Sequence, residues 1–400
     1  MRKMNMKTKT TLAVLLSSSM LLAACGTSVQ TVTEETAPND ILKAVAAINE
    51  DSTAEDVTNA MTGIINRTAE AYDYKVVTDL DNKVTNFEQA EDGTLSQTSQ
   101  NSRSIDRSIA DGEVMYELLE QESGDQSMVG MMSANIDTIT TLYATIDEGD
   151  LSSDTQKLTV SNVGTNDSGV EEGSDMAQMV KDTVVSPLYS YMGANLIIQP
   201  MASPEYYNFA LKKKGDVYEW TIDIKDKESY NSFIDNYVQE NYGYERTDLN
   251  GDGSLVVDQY DTTSVSVVVS MDENGVISTI RNTNKNMVGN KDNLINLGAV
   301  QTVTIGGVSS TLVDEIKQVF ADAADEKLTE GGNFELTGLT ETVEQTPVSD
   351  DAADQKKPVD DQDAENASGE DEKAEDKTSS DEEKAADEGS SEESTDEKTE

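Results

Sequence analysis

The chain of 400 residues contains no histidine and a single cysteine, Cys25. One cysteine cannot form a disulfide within the chain, and the zinc sites that combine cysteine with histidine cannot be assembled. Catalysis by Ser-His-Asp or Cys-His groups is excluded as well, because both need an imidazole that titrates near neutral pH. Carboxylate, lysine, tyrosine and hydroxyl side chains remain for chemistry, but these residues are common on ordinary protein surfaces.

Long hydrophobic runs are also missing. The most apolar stretch lies near the N-terminus and follows four basic residues, which are Arg2, Lys3, Lys7 and Lys9. It comprises residues 12–16 and 20–24, and the serines at 17–19 interrupt it, so it is too short for a membrane span. A basic segment followed by a short apolar one and small residues predicts a signal peptide over residues 1–24.

Small residues lead directly into the cysteine, in the sequence Leu22-Ala23-Ala24-Cys25. This motif resembles the lipobox of bacterial lipoproteins. The resemblance implies attachment of diacylglycerol to Cys25, removal of residues 1–24, and anchoring on the extracytoplasmic face of the cell membrane. Two acyl chains suffice for stable anchoring, at about 0.8 kcal/mol per buried methylene. The alternatives are a fortuitous cysteine in an ordinary secretory signal and an uncleaved N-terminal anchor.

Basic residues are scarce relative to acidic ones, with 29 Lys and Arg against 78 Asp and Glu, a net charge of −49. Four of these 29 basic residues lie in residues 1–24, so removal of that segment brings the net charge to −53. This charge excludes nucleic acid as a partner, because phosphate binding needs a basic surface. It also argues against electrostatic docking on anionic lipid, so the lipid anchor has to hold the protein at the membrane against that repulsion.

Both ends of the processed chain are polar. Residues 25–39 are predicted to form the lipidated cysteine and a flexible tether. Residues 341–400 contain 24 acidic residues and 6 lysines, and no aromatic residue follows Phe334. This composition predicts a disordered acidic tail, which acts either as a spacer that collects cations or as a solvated segment that keeps the protein soluble. The folded body is predicted to be residues 40–340.

Several segments of the body have apolar residues at helical spacing. These lie at residues 41–48, 57–65 and 312–320, and a further helix is predicted to start at Ser229. Residues 52–56 offer a capping box for the second helix.

A separate apolar stripe with residues three or four apart could line a pliable groove but is more typical of plain core. The stripe consists of Met128, Met131, Met132, Ile136, Ile139, Tyr143 and Ile146.

Other segments are polar and rich in strand-forming residues, or alternate between apolar and polar residues, and short turns connect them. They are residues 72–80, 94–105, 112–121, 207–211, 218–224, 265–271 and 276–284. Short turns, such as those at 212–216 and 272–275, join antiparallel neighbours. The helices are grouped and do not follow each strand, so an α+β fold with an antiparallel sheet is predicted, which argues against a two-lobed solute-binding receptor built from βαβ units.

Leading helices, long meandering strands and a helix between hairpins resemble the half-barrel lipoprotein superfamily, which includes the lipoprotein carriers and the mycobacterial-type lipid-binding lipoproteins. The resemblance is architectural, covers residues 40–310 and rests on no diagnostic motif. It implies a curved antiparallel β-sheet, half-barrel-like, with amphipathic helices packed on one face around an apolar cavity for acyl chains. It assigns no ligand-binding residue.

One segment, Asp248-Leu249-Asn250-Gly251-Asp252-Gly253, matches the opening of a calcium loop. Gln259 stands where the loop needs a bidentate carboxylate, and Asn-Gly-Asp-Gly is also a common hairpin turn. The sequence therefore favours a turn, and no metal or other cofactor is expected.

Three functions fit these observations. The first is a non-enzymatic lipoprotein, anchored to the membrane, that binds a hydrophobic or amphiphilic ligand or a partner lipoprotein. The second is a structural or adhesive surface module that contacts cell-wall polymers or proteins. The third is an envelope hydrolase that uses paired carboxylates, for which adjacent acids such as Glu171 and Glu172 are weak support because acids are so frequent.

Overall fold

A computed structural model describes residues 29–89, 95–123, 126–134, 138–148, 153, 155–170, 175–194, 203–230, 232, 265–289, 294–339 and 342–343. The strands are β1 (Val29–Thr31), β2 (Lys75–Gln89), β3 (Leu95–Asp111), β4 (Val114–Ser123), β5 (Gln126–Ala134), β6 (Thr138–Glu148), β7 (Gln156–Asp167), β8 (Tyr207–Lys214), β9 (Val217–Ile224), β10 (Val265–Met271), β11 (Ile277–Gly289), β12 (Leu294–Val308), β13 (Asn333–Leu336) and β14 (Thr342–Val343). The α-helices are α1 (Asp40–Ala47), α2 (Ala54–Ala71), α3 (Met176–Tyr189) and α4 (Ser310–Ala324).

One antiparallel sheet contains all of these strands. Its order is β1-β8-β9-β10-β11-β12-β2-β3-β4-β5-β6-β7-β13, with β14 paired to β12. Two meanders, β2 to β7 and β8 to β12, meet where β12 pairs with β2, from Ala299↔Val84 to Gly307↔Val76. The described sheet is not closed, since β1 and β13 lie at opposite ends of the order. The predicted α+β class with a mainly antiparallel sheet is confirmed.

The register divides the side chains of the sheet into two faces, because directly paired residues in antiparallel strands point the same way. Face A carries Trp220, Ile280 and Val303, which align across β9, β10, β11 and β12 and pack in one core cluster with α1, α2 and α3. Face B carries Leu118 and Met131, which pack in a second cluster with α4. The helices therefore lie on both faces, which corrects the expectation of a single helical face. Helical periodicity reveals which side of a helix is apolar, but not which face of a sheet that side meets.

The first two helices begin at side-chain caps. The Thr53 hydroxyl accepts a hydrogen bond from the Asp56 N–H at 3.2 Å, and Asp56 accepts one from the Thr53 N–H at 2.8 Å, so the predicted capping box is confirmed. Helix α1 is capped by Asn39, a cap that was not predicted from the sequence. Among the described residues, every helix is too short or too polar to span a bilayer.

The methionine-bearing stripe belongs to two strands. Met131 on β5 and Leu142 on β6 are fully buried on face B, whereas Met128 and Tyr143 are exposed. Burial alternates with a period of two residues, as expected for strands. The spacing of three or four residues therefore does not reflect a helical face, and Ile136 lies outside the described residues.

The segment predicted as a flexible tether is partly structured. Residues 29–31 form β1 at the edge of β8, and the Val32 N–H donates to the Leu211 carbonyl at 2.9 Å. Val32 and Ala37 are buried in the face A cluster. The described body therefore includes residues 29–39, which the sequence analysis assigned to the tether.

Candidate functional site

Most residues singled out for function from the sequence lie outside the described residues. These are Cys25, the calcium-like loop at 248–259, the pair Glu171 and Glu172, and the acidic tail apart from Thr342 and Val343. The predicted helix after Ser229 is described only at its start, at residues 227–230 and 232. The candidate sites described below were therefore not recognised from the sequence.

A cavity of about 480 Å³ lies where the end of α2 meets the start of α4. It is called the α2–α4 cavity here, and it is lined by Ala71, Tyr72, Asp73, Lys75, Gly307, Val308, Ser310, Val313, Asp314 and Lys317. Its volume is within the range of sites that bind small molecules. The lining combines buried apolar side chains with two lysines and two aspartates.

Two chain reversals bring these residues together. After α2, Asp73 and Tyr74 have φ angles of 51° and 57°, a left-handed conformation that turns the chain into β2. After β12, the Ser309 hydroxyl accepts a hydrogen bond from the Leu312 N–H at 3.2 Å and caps α4. Because β12 pairs with β2, the two reversals lie side by side.

Three of the four charged side chains that line the cavity form ion pairs. Lys75 Nζ lies 2.8 Å from Asp73 Oδ2, and Lys317 Nζ lies 2.6 Å from Asp111 Oδ2. The hydrogen bond to Asp111 raises the pKa of Lys317 above its usual value, so this ammonium stays protonated at neutral pH. Tyr72, Val308 and Val313 are buried and form the apolar part. Such a lining can accept a ligand with a charged head and an apolar portion.

A second polar cluster lies on face A of β2, β3 and β4. Burial, reinforced by the negative charge of Glu117, raises the pKa of Asp106 to about 7. Burial also raises the pKa of Glu117 and that of Tyr191, whose hydroxyl contacts Thr78. The Ser108 hydroxyl donates to Asp106 at 3.1 Å. The two carboxyl groups therefore share a proton that can be lost near neutral pH, and we call them the Asp106–Glu117 pair.

On face B, a buried ion pair serves the architecture. Arg107 pairs with Glu120, and both side chains are almost fully buried. Arg107 also donates to the Leu339 carbonyl at 2.8 Å, and Gln156 donates to Glu120 at 3.2 Å. These bonds connect β3, β4 and β7 to the segment after β13, so the pair is a structural element.

The sequence contained only a weak signal for these sites. Asp106 and Ser108 alternate along a polar strand, and nothing marks Glu117, eleven residues away, as the partner of Asp106. In the described part of the chain, no group of three or more acidic or thiol side chains is placed to hold a metal ion.

The chain matches no known protein-family profile. No curated protein is similar enough to match it.

Proposed function

We propose that this chain is a lipoprotein anchored through Cys25 on the extracytoplasmic face of the cell membrane, and that its body binds an amphiphilic ligand or a partner lipoprotein without catalysis. The lipobox-like sequence at 22–25 supports the anchor. The α2–α4 cavity is the observation that carries the binding role, because its apolar and charged linings suit a ligand with both characters. The two meanders flanked by helices support half-barrel-like curvature of the sheet.

The anchor is tested by metabolic labelling with palmitate. The wild-type chain is expected to incorporate the label and to fractionate with membranes, whereas Cys25→Ala is expected to incorporate none because the thiol is the attachment atom. Ser28→Ala serves as a control next to the motif and is expected to label normally. Absence of label on the wild type, or label on Cys25→Ala, would contradict the proposal.

Ligand binding is tested by uptake of a fluorescent fatty acid. Ser310 is exposed and lines the α2–α4 cavity, so Ser310→Trp is expected to obstruct the cavity and reduce uptake several-fold. Thr311 is also exposed, follows it on α4 and does not line the cavity, which makes Thr311→Trp the matched control. Equal uptake by both variants, or no uptake by the wild type, would exclude this cavity as the binding site.

The Asp106–Glu117 pair favours a second candidate, a hydrolase, because two carboxyl groups with separated roles can act as general acid and base. The Ser108 hydroxyl donates to Asp106, and neither carboxyl group lines the α2–α4 cavity. Hydrolysis of a cell-wall glycan by the wild type, lost in Asp106→Asn and in Glu117→Gln, would favour the hydrolase. A structural or adhesive module is the remaining alternative, and it predicts binding to wall polymers without uptake of fatty acid.

A further inference from the structure

The first strand fixes where the anchor emerges from the body. In the antiparallel pairing of β1 with β8, Val29 faces Lys214 and Thr31 faces Lys212. The N-terminal end of β1 therefore lies beside the turn that joins β8 to β9. Cys25 is four residues before Val29, so its Cα lies within about 14 Å of the Val29 Cα even if the chain is fully extended. A bilayer that holds Cys25 must lie next to this turn.

The surface around the turn is both basic and apolar. Val29 is 58% exposed and Val217 is 40% exposed, and they are two of the five exposed large apolar side chains in the described residues. Lys214 pairs with both of them, so these three side chains share face B. Lys212 is exposed on the same face, two residues along β8. We call Val29, Lys212, Lys214 and Val217 the β8–β9 tip.

We propose that the β8–β9 tip docks on the bilayer next to the lipid anchor, with Val29 and Val217 entering the interface and Lys212 and Lys214 contacting anionic phospholipid headgroups. The inference rests on the proposed anchoring at Cys25 and adds the face that the body turns toward the membrane. Exposed apolar side chains among lysines are the pattern of surfaces that lie at a membrane interface.

The charge of the remainder of the protein reinforces this orientation. An anionic surface repels a chain with a net charge of −53 over about 8 to 10 Å at physiological salt. Three consecutive lysines, 212–214, lie opposite β1, the described strand nearest in sequence to Cys25. Lys213 points to face A, over the ring of Tyr218 at 5.0 Å, so it does not share face B with the tip. The acids that oppose the lysines of the tip are Asp216 in the turn, Glu219 opposite Lys212, and Asp223, whose pKa is raised by burial and lowered to a lesser extent by the charge of Lys212.

The experiment uses the single thiol of residues 25–400, which allows Cys25 to be coupled to a maleimide-bearing lipid. Coupled protein on vesicles of phosphatidylcholine with phosphatidylglycerol is treated briefly with an acetylating reagent, and each lysine is quantified by mass spectrometry. Acetylation of Lys212 and Lys214 is expected to fall several-fold relative to the uncoupled protein. Lys157, on β7 beside the last strand of the sheet order, is the internal control and is expected to react equally in both samples.

Two further samples test whether the anionic headgroups and the two valines hold the tip at the bilayer. On vesicles of phosphatidylcholine alone, protection of Lys212 and Lys214 is expected to be clearly weaker, because the anionic headgroups are missing. The variant Val29→Ser with Val217→Ser is expected to lose most of the protection, whereas Met128→Ser with Tyr143→Ser, which replaces exposed apolar side chains elsewhere, keeps it. The proposal would be overturned if the lysines of the tip were as reactive as Lys157. Equal protection on both kinds of vesicle, or full protection in the valine variant, would also overturn it. The coupling is chemical, so these outcomes are independent of the palmitate result.

Discussion

At the scale of single residues, the Asp106–Glu117 pair is the most perturbed electrostatic feature of the described chain. Asp106 ordinarily ionises near 3.8, and its pKa rises to about 7 in the fold because burial penalises the carboxylate and Glu117 adds a like charge. The protonated form of Asp106 is therefore favoured in the native state. Its contribution to stability is fully present below pH 3.8 and is lost as the pH rises through about 7.

The variant Asp106→Asn tests this linkage, because asparagine keeps the shape and does not ionise. The free energy of unfolding of the wild type relative to the variant is expected to decline between pH 4 and pH 8, at no more than about 1.4 kcal/mol per pH unit. Urea unfolding at pH 4, 5.5 and 8 measures the difference, with exposed Asp51→Asn as the control. A difference between wild type and Asp106→Asn that is constant over this range would refute the raised pKa.

At the scale of secondary-structure elements, Asn39 links a helix to a distant turn. Its side-chain oxygen accepts from the Leu42 N–H at 2.9 Å and caps α1. Its side-chain amide donates to the Glu273 carbonyl at 2.8 Å, in the turn between β10 and β11. In that turn, the Asp272 carboxylate accepts from the Val276 N–H at 2.9 Å. The entry into α1 is thereby fixed to the sheet.

Two substitutions separate the roles of Asn39. Asn39→Ala removes the cap and the bond to the turn and is expected to lower the free energy of unfolding by about 2 kcal/mol, since each interaction contributes about 1 kcal/mol. Asn39→Asp keeps a capping oxygen and loses only the donor, so a loss of about 1 kcal/mol is expected. Urea unfolding followed by the fluorescence of Trp220 measures both values. Equal losses in the two variants would show that only the bond to the turn matters.

At the scale of the whole body, two core clusters on opposite faces depend on one continuous sheet. Trp220, the only tryptophan, lies in the face A cluster, and Leu142 is fully buried in the face B cluster. The pairing of β12 with β2 connects the two meanders through backbone hydrogen bonds. We therefore expect the body to unfold as one cooperative unit, in which damage to one cluster is felt in the other.

The variant Leu142→Ala tests this coupling. It is expected to lower the free energy of unfolding by about 2 to 5 kcal/mol, because it leaves a cavity in the face B cluster. The transition detected by Trp220 fluorescence should shift as far as the transition detected by far-ultraviolet circular dichroism. Tyr143→Ala, at the neighbouring exposed position, should have little effect. An unchanged Trp220 transition in Leu142→Ala would mean that the two meanders unfold separately.

Local patterns predicted much of the fold. The alternation at residues 218–224 and 265–271 and the capping box at Thr53 depend on neighbours within a few residues, and the structure contains β9, β10 and α2 at these positions. The helix α3 and the strands β7 and β12 were not anticipated. The strand β1 was not anticipated either, because its partner β8 lies far away in sequence. The candidate sites were missed because Asp106 comes close to Glu117 only through the register of β3 and β4, and Lys75 and Lys317 line one cavity only through the placement of α4.

By itself, the sequence determined what chemistry is possible, with one thiol and no imidazole, and the antiparallel α+β class, because composition and periodicity are local properties. Only the tertiary structure decided that the helices cover both faces of the sheet. Only it decided that β1 joins the edge of β8 beside Lys212 and Lys214. Those outcomes depend on which strands pair across long distances, and a short pattern of apolar and polar residues does not specify that pairing.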